Sequence, residues 1–400
     1  MNPTVKQVQD DWRTLDGEDF VASPSVRVVT NFTDLSDDAI KAECIKPNRF
    51  VQLFSKCSLL YNMFYAVQII YLSDKNSVVV IDGSRGSIWL FTGYINRLLG
   101  SHKRVMVFID CFIEYHLGEE RRFWFIPFIK ITAKRKIALA RGALLGYNII
   151  TLWSKKQIAP HAKMYNLPEK HFCFIPYKAT HSKHWRLYPK TRETADDPSG
   201  CEQKQRGYYE SVDKTRYYPL IGGFIFSGGI GKRDYPCLIE AIRDTEIPLI
   251  ISLANWSMQQ RLEQLPNVII LGAREPAYAQ LMAASRFVVV PMIYSGVKGG
   301  AEAFFCNSMW HSKAVIACCN IAAEDYIIDG ETGYVVPVGD SETLRKRILE
   351  LWNNPEKCKE MERKGRERCE KWFTHEHWVR RCLRLSSIIF EEYGNRKEVD

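Results

Sequence analysis

The chain has 400 residues, of which 46% are hydrophobic, 12% aromatic and 25% charged. This composition excludes an intrinsically disordered chain and supplies enough apolar material for two domains of ordinary size. The formal net charge of +9 suits an anionic partner such as a nucleotide, a nucleic acid or an acidic membrane surface, although many basic enzymes bind no polyanion.

The first half of the chain alternates short β-branched runs with longer runs of helical period. Strand candidates begin at Val26, Ser77, Arg104, Tyr147 and Phe172. Such alternation is typical of βα units that build a parallel sheet. It predicts a Rossmann-like domain over residues 1–180.

The middle of the chain is polar and nearly free of aliphatic residues from 181 to 216, which predicts a linker or surface insertion. The second half then repeats the βα rhythm and predicts a complete doubly wound domain over residues 217–372. Its strand candidates begin at Gly222, Pro248, Asn267, Arg286, Ala314 and Gly333.

The chain from Ser341 onwards has a helical pattern, with Asp340 or Ser341 and Thr374 as candidate N-caps. We expect the last segment, residues 373–400, to be a helix that packs back on the N-terminal domain. The sequence therefore predicts an α/β fold with additional C-terminal helices.

The cysteines and the hydropathy pattern bear on the compartment. Twelve cysteines lie mostly within apolar runs and form no CxxC pairs at zinc-ribbon spacing, which indicates buried, reduced thiols. The N-terminal stretch lacks a basic segment followed by an apolar core, and no run reaches eighteen consecutive apolar residues. We expect a cytoplasmic protein, with peripheral contact to a membrane as an alternative.

The first candidate binding segment is FSGGIGKRDYPCLIEAI, in which a strand runs into Gly228, Gly229 and Gly231. Glycines let backbone N–H groups turn toward an anion, and Lys232 and Arg233 would complete a diphosphate cradle at a helix start. A glycine-rich turn with two solvated cations explains the stretch equally well. The segment is neither a P-loop nor a GxGxxG motif.

The second candidate segment is SGVKGGAEAFFCNSMW, which follows the predicted strand at Arg286. Glu302 falls in the first turn of a predicted helix, where an acidic residue often does no more than stabilise the helix dipole. The neighbouring glycines and Lys298 also suit a site that binds sugar hydroxyls through a carboxylate and phosphate through N–H groups.

The third candidate segment is AAEDYIIDGETGYVVP, where Asp329-Gly330 and Thr332-Gly333 lead into a strand. By itself it is an ordinary turn. Its order and spacing relative to the other two segments give it more weight, because ligands of doubly wound sheets bind in loops of this kind.

Together these segments, from about Gly223 to Trp352, resemble the donor-binding half of a family 4 (GT4-like) glycosyltransferase with the GT-B fold. The resemblance implies two Rossmann-like domains that face a cleft. The C-terminal domain would hold a nucleoside diphosphate sugar and the N-terminal domain an acceptor. It also implies retention of anomeric configuration, no catalytic metal, and no cofactor besides the nucleotide-sugar co-substrate.

The resemblance assigns roles to several residues. Arg233 matches the family's phosphate-binding lysine. The family's arginine falls on Gly228, so that Lys232 or Lys298 would supply the second cation.

The family's two glutamates fall on Gly299 and Asn307, and Glu302 lies between them. Asn307 would bind the ribose, Glu302 would be the nearest carboxylate to the sugar, and the amides of Gly299 and Gly300 would approach the sugar or phosphates. Loss of activity in a degenerate homologue is an alternative.

Catalysis of such a transfer chiefly requires cations and N–H groups at the leaving diphosphate. Arg233, Lys232 and Lys298 suit that task. If a carboxylate assists, Asp110 and Asp82, each at a predicted strand end, are the best placed, although each also suits a turn-capping role.

Residues 119–142 interleave aromatic and basic side chains. This pattern suits peripheral contact with an anionic membrane or an apolar acceptor pocket with a basic rim, and a buried helix with one charged side fits equally well. We expect no nucleic-acid partner. We also predict no bound metal, because the histidine groups at His181 and His375 lack a second ligand pair at zinc spacing.

The sequence therefore predicts a retaining, metal-independent glycosyltransferase that moves a sugar, most often from UDP in this family, to a small hydrophobic or lipid-linked acceptor. Two alternatives stay open: a GT-B relative that acts on the nucleotide sugar itself, such as an epimerase or phosphorylase-like enzyme, and a non-catalytic nucleotide-sugar or membrane-surface binding module. A dinucleotide oxidoreductase is disfavoured, since no GxGxxG follows the first strand of either half.

Overall fold

A computed structural model describes the chain in seventeen stretches. The described residues are 2–21, 26–32, 35, 40–74, 76–83, 87–100, 104–109, 132–183, 223–229, 232–253, 259, 262, 265–273, 275, 277–293, 300–318 and 321–394. The chain divides into two compact units, the first comprising Met1–Pro176 with Glu376–Asp400 and the second Tyr177–His375. The first segment of the first unit thus ends at Pro176, four residues before the predicted boundary at 180. The second unit ends at His375, three residues after the predicted boundary at 372.

The first unit contains a six-stranded sheet in the order β2-β1-β3-β4-β5-β6, and every neighbouring pair is parallel. The central strands are buried over their whole length, which explains their continuous apolar sequences. The strands are β1 (Arg27–Thr30), β2 (Ala42–Cys44), β3 (Ser77–Asp82), β4 (Val105–Ile109), β5 (Ile149–Leu152) and β6 (Phe172–Phe174).

Helices cover both faces of this sheet. One face packs against α2 (Arg49–Leu53), α3 (Ser58–Leu72), α4 (Ile88–Leu98), α5 (Ala133–Leu144) and α6 (Ile158–Tyr165). The other face packs against α1 (Val5–Asp10) and the last helix of the chain, His375–Gly394. Short 3-10 helices span Trp12–Asp16, Lys155–Gln157 and Glu169–His171.

The second unit contains another six-stranded parallel sheet, in the order β12-β11-β10-β7-β8-β9. This is the strand order of a complete doubly wound domain, in which the direction of winding reverses between the first and fourth strands. The strands are β7 (Ile225–Gly228), β8 (Leu249–Ser252), β9 (Val268–Leu271), β10 (Phe287–Val290), β11 (Val315–Cys318) and β12 (Gly333–Val336).

Several helices of the second unit begin at polar caps that the sequence supplies. Asp234 accepts a hydrogen bond from the Cys237 amide and starts α8, while Asp340 accepts one from the Thr343 amide and starts α12. The helices are α7 (Thr180–Lys183), α8 (Tyr235–Ile242), α9 (Ala277–Ala284), α10 (Glu302–Trp310), α11 (Ala323–Tyr326), α12 (Ser341–Asn353) and α13 (Pro355–Trp372). The final helix, His375–Gly394, is α14.

Two details differ from the sequence predictions. The short strand β2 was not predicted, and residues 181–183, predicted as linker, complete α7. The rest of the predicted linker lies outside the described residues. Among the described helices, none combines the length and the apolar character that a membrane span requires.

Candidate active site

The winding of the second sheet reverses between β7 and β10, which are hydrogen-bonded neighbours. At such a reversal the loops that follow the two strands run in opposite directions and leave a crevice at the carboxyl edge of the sheet, where ligands bind. Here β7 ends at Gly228 and β10 ends at Val290. The first two candidate segments of the sequence follow these two strands.

Arg233 connects the segments that follow β7 and β10. It forms an antiparallel bridge with Met292, flanked by hydrogen bonds from the Asp234 amide to the Pro291 carbonyl at 2.9 Å and from the Ile293 amide to the Lys232 carbonyl at 3.0 Å. The Arg233 Nε donates to the Gly228 carbonyl at 3.1 Å. The side chain is 7% exposed, so this cation is held in place by the backbone around it.

The guanidinium also reaches the segment that leads into α10. Its Nη1 lies 3.4 Å from the Gly300 carbonyl oxygen and 2.7 Å from the Met292 Sδ. Arg233, Gly228 and Gly300 are therefore brought together from three points in the sequence. The Arg233 guanidinium and the backbone carbonyls of Gly228 and Gly300 therefore lie together at the carboxyl edge of the sheet.

Gly228, which ends β7, and Gly229, which follows it, are required by their neighbours. Gly229 has a φ of +104°, and a Cβ on it would lie 3.1 Å from the Arg233 Nη2. A Cβ on Gly228 would lie 2.5 Å from the Tyr278 hydroxyl oxygen. The family's arginine cannot stand at position 228, because the Tyr278 ring already fills that space.

Tyr278 and Tyr235 are site residues that the sequence did not reveal. The Tyr278 ring packs edge-on against Phe226, with centroids 5.2 Å apart, and the Tyr235 hydroxyl donates to the Gly229 carbonyl. Burial raises the pKa of both phenols, so both stay protonated at neutral pH. They fix the shape of the loop after β7.

Glu302 is the first residue of α10 and is 1% exposed. Its Oε2 accepts a hydrogen bond from the Gly300 amide at 2.7 Å, which folds the glycine back over the helix start. No hydrogen-bond donor in the described part of the chain reaches Oε1. Burial raises the pKa of this carboxyl, and the backbone amides of 300–302 oppose that shift.

Comparisons with known proteins bear on this arrangement. Residues 239–354 match the family described as glycosyl transferases group 1. A Bacillus subtilis (strain 168) protein named as a candidate glycosyltransferase, EpsD, is 30% identical over 74 residues. That match covers 18% of this chain and about a fifth of the EpsD sequence, 19%.

Solved structures resemble the chain over most of its length. Sucrose-phosphate synthase from Thermosynechococcus elongatus has 14% identity and a TM-score of 0.54, covering 90% of this chain and 84% of that one. HepE from Anabaena, in complex with UDP and glucose, has 14% identity and a TM-score of 0.56, with coverages of 90% and 87%. A glycosyltransferase from Rickettsia africae has 13% identity and a TM-score of 0.56, with coverages of 91% and 90%. At these identities the likeness concerns the fold alone.

Residues 239–354 are thus similar to the group 1 glycosyl transferases. The predicted GT4-like resemblance is confirmed at this level. The predicted GT-B fold, with two Rossmann-like domains, is confirmed by the two parallel sheets and the glycosyltransferase structures that share them.

Asn307, which lies within the matched residues, is on α10 but faces α7. Its Oδ1 accepts from the His181 amide at 3.1 Å, and its Nδ2 donates to the Thr180 hydroxyl at 3.0 Å. His181 in turn places Nδ1 2.9 Å from the His311 Nε2 and Nε2 3.0 Å from the Glu275 carboxylate. The Asn307 amide is thus engaged with α7, while its predicted contact with a ribose stays a prediction.

The third candidate segment is a tight turn at the opposite edge of the sheet. The Asp329 carboxylate accepts from the Val335 amide at 2.8 Å, and the Gly330 amide donates to the Gly333 carbonyl at 2.8 Å. This turn precedes β12, whereas Gly228 ends β7. Since the strands are parallel, the turn lies at the amino edge, away from Arg233.

The other predicted residues divide into two groups. Lys232 is among the residues that the structure describes; its side chain is exposed and its φ is +54°. Asp110, Gly231, Lys298 and Gly299 lie outside the described residues. Asp82, the alternative to Asp110, ends β3 and is buried in the first unit.

The histidines that invited a metal prediction have other contacts. His181 bonds to His311 and Glu275, as described above, and the His375 amide donates to the Ser182 hydroxyl at 2.9 Å. Within the described stretches, no group of three or more His, Cys, Asp or Glu side chains is arranged to hold a metal ion.

Proposed function

We propose that this chain transfers a sugar from a nucleoside diphosphate sugar to an acceptor, without a metal and with retention of anomeric configuration. The observation that carries the proposal is the buried Arg233 guanidinium at the β7–β10 reversal, in the sheet whose later part, residues 239–354, matches the group 1 glycosyl transferases. A cation fixed at the carboxyl edge of a doubly wound sheet suits the diphosphate of a nucleotide.

Loss of a nucleoside diphosphate leaves negative charge on the departing phosphate, and fixed cations and N–H groups stabilise that charge in the transition state. Arg233 would supply the cation, and the backbone of Gly228 and Gly229 would give the phosphates close access. Lys232 and Lys298 are the candidates for a second cation. In a retaining reaction the leaving diphosphate would help deprotonate the acceptor on the same face of the sugar.

Glu302 would recognise the sugar. One carboxyl oxygen holds the Gly300 amide, and a sugar hydroxyl is a suitable donor for the other. Gly299, Gly300 and Asn307 would complete the contacts to the sugar and ribose. No cofactor besides the nucleotide sugar enters this scheme.

For the donor we propose a UDP sugar, supported by the structure of HepE with UDP-glucose. For the acceptor we propose a small hydrophobic or lipid-linked molecule. The aromatic and basic residues of 119–142 support peripheral contact with a membrane on which such an acceptor resides.

A panel of nucleoside diphosphate sugars tests the proposal by thermal shift. A donor at a hundredfold its Kd stabilises the folded protein by about 2.7 kcal/mol and must raise the Tm. Arg233→Ala should abolish the shift. Arg243→Ala, which removes a partly exposed arginine just after α8, is the matched control and should preserve it.

Turnover then separates the proposal from its alternatives. Release of nucleoside diphosphate that depends on a lipid-linked acceptor supports transfer. Consumption of the donor without acceptor would favour an enzyme acting on the nucleotide sugar itself. Binding without any turnover would favour a binding module, and a panel without any Tm shift would overturn the donor assignment.

A further inference from the structure

Helices α2–α5 cover one face of the first unit's sheet, and their outward side is unusually apolar. Helix α3 contains fifteen residues and not one charge. Helix α4, which packs beside it, contains one charged residue, Arg97. A helix that is hydrophobic all round is normally buried, and these two helices, although largely apolar, present side chains to solvent.

The exposed apolar residues of the described chain concentrate on this layer. Of eleven large hydrophobic residues that are exposed, eight lie in α2–α5 or directly after α4. Leu53, Tyr71 and Leu98 are 78%, 83% and 84% exposed. The remaining five of the eight are Phe50, Val67, Leu72, Leu99 and Leu139.

The members of this set on α2 and α3 form a continuous surface rather than scattered positions. Along α3, Leu60, Phe64, Val67 and Tyr71 recur at the spacing of one helix side. Phe64 contacts Phe50 of α2, with ring centroids 5.1 Å apart. The surface therefore extends from α2 along α3, and contiguous exposed apolar patches of this kind mark sites of association.

The charged residues within helices α2–α5 all have one sign. Helices α2–α5 contain six basic residues and no acidic residue. The opposite face of the sheet is covered by α1 and α14, which do carry acidic residues. The six are Arg49, Arg97, Lys134, Arg135, Arg141 and the buried Lys136.

We infer that the outer side of α2–α5 docks on an anionic phospholipid bilayer. Exposed Leu, Phe and Tyr side chains enter the interface between headgroups and acyl chains, while the arginines and lysines pair with lipid phosphates. A second copy docking through the same surface would bring like charges together. A nucleic acid would pair with the cations but leave the aliphatic side chains in water.

This inference does not depend on glycosyl transfer, because binding to vesicles requires neither donor nor acceptor. It also differs from the proposed contact through 119–142, since Leu53, Tyr71 and Leu98 all precede that segment. Only α5 belongs to both.

Flotation of the full chain with lipid vesicles tests the inference. We expect binding to vesicles of phosphatidylcholine mixed with phosphatidylglycerol, and little binding to phosphatidylcholine alone. The double variant Leu53→Asp with Leu98→Asp should bind at least tenfold more weakly. Both side chains are exposed, so the variant should fold, and its circular dichroism melt verifies this.

A charge variant and matched controls complete the design. Arg49→Glu with Arg97→Glu should also lose at least tenfold, since each basic residue near an anionic surface contributes about fivefold. Val21→Asp and Arg13→Glu replace exposed residues of the same unit outside α2–α5 and should bind as the wild type does.

Several results would overturn the inference. Equal binding to neutral and anionic vesicles would remove the role of the basic residues. Wild-type binding by the Leu53/Leu98 variant would remove the role of the apolar surface. A wild-type dimer that the same variant dissociates in sedimentation velocity would show that this side binds a second copy instead.

Discussion

Asn307 on α10 fixes the start of α7, because its Oδ1 accepts the amide hydrogen of His181 at 3.1 Å. We predict that Asn307→Ala lowers the free energy of unfolding by about 1–3 kcal/mol, since it leaves buried polar groups without partners. Urea denaturation measures the loss. Asn307→Asp keeps the acceptor and should lose less; equal losses in both variants would contradict this role. Donor affinity of the same variants tests the predicted ribose contact separately.

For the variant Glu302→Gln we predict opposite effects on stability and on function. Burial raises the folded pKa of the Glu302 carboxyl above the unfolded value, so the folded state binds more protons and stability falls as pH rises above about 4.5. Glu302→Gln removes this loss and should be at least as stable as the wild type at pH 7. It should also weaken donor use, measured as kcat/KM, by about 10- to 100-fold. A destabilised Gln variant, or one with unchanged kcat/KM, would contradict the assignment.

Burial in the first unit lowers the pKa of His161 to about 4. The unfolded imidazole titrates near 6.5, so between these values the unfolded state binds the additional proton, and stability falls as pH drops. We predict that His161→Phe reduces the slope of unfolding free energy against pH by up to about 1.4 kcal/mol per pH unit in this window. Urea titrations at several pH values measure the slope. Parallel curves for wild type and variant would refute the prediction.

The ion pair between Arg381 and Asp16 joins α14 to the start of the chain. The Arg381 guanidinium is fully buried. Its Nε lies 2.9 Å from the Asp16 Oδ2, and its Cζ lies 4.2 Å from the centroid of the Trp12 ring. Because Arg381→Met leaves the carboxylate without its partner, it should cost about 3–5 kcal/mol of stability. Adding Asp16→Asn should recover much of this loss. Arg380→Met is the control, and a similar loss there would argue against the ion pair.

The sheets were the most predictable part of the fold. Strands such as Ser77–Asp82 are buried along their whole length, so they appear in the sequence as unbroken apolar runs. Strand β2 was missed because it has only three residues, includes Glu43 and has no fully buried position. The N-cap at Asp340 was predictable, since capping depends on local sequence.

The candidate site was predictable only in part, for a physical reason. The glycines at the end of β7 and the Glu302 helix start are local features that the sequence displays. The place of Asn307 against α7 and of Tyr278 against Gly228 depends on contacts between residues 50 or more positions apart. No local pattern encodes such contacts. The Asp329 turn was predicted to belong to the site, but it lies at the amino edge of the sheet. The spacing of a turn along the chain does not reveal which edge of the sheet it occupies.

The close approach of Tyr278 to Gly228 limits how this site can change over evolution. A side chain at 228 collides with the phenol, so an arginine fits there only if residue 278 is small. Positions 228 and 278 should therefore vary together among related sequences: glycine with tyrosine in one lineage, and a larger residue with a smaller partner in another. Whether the site can have a second cation at position 228 therefore depends on Tyr278, a residue that is itself uncharged.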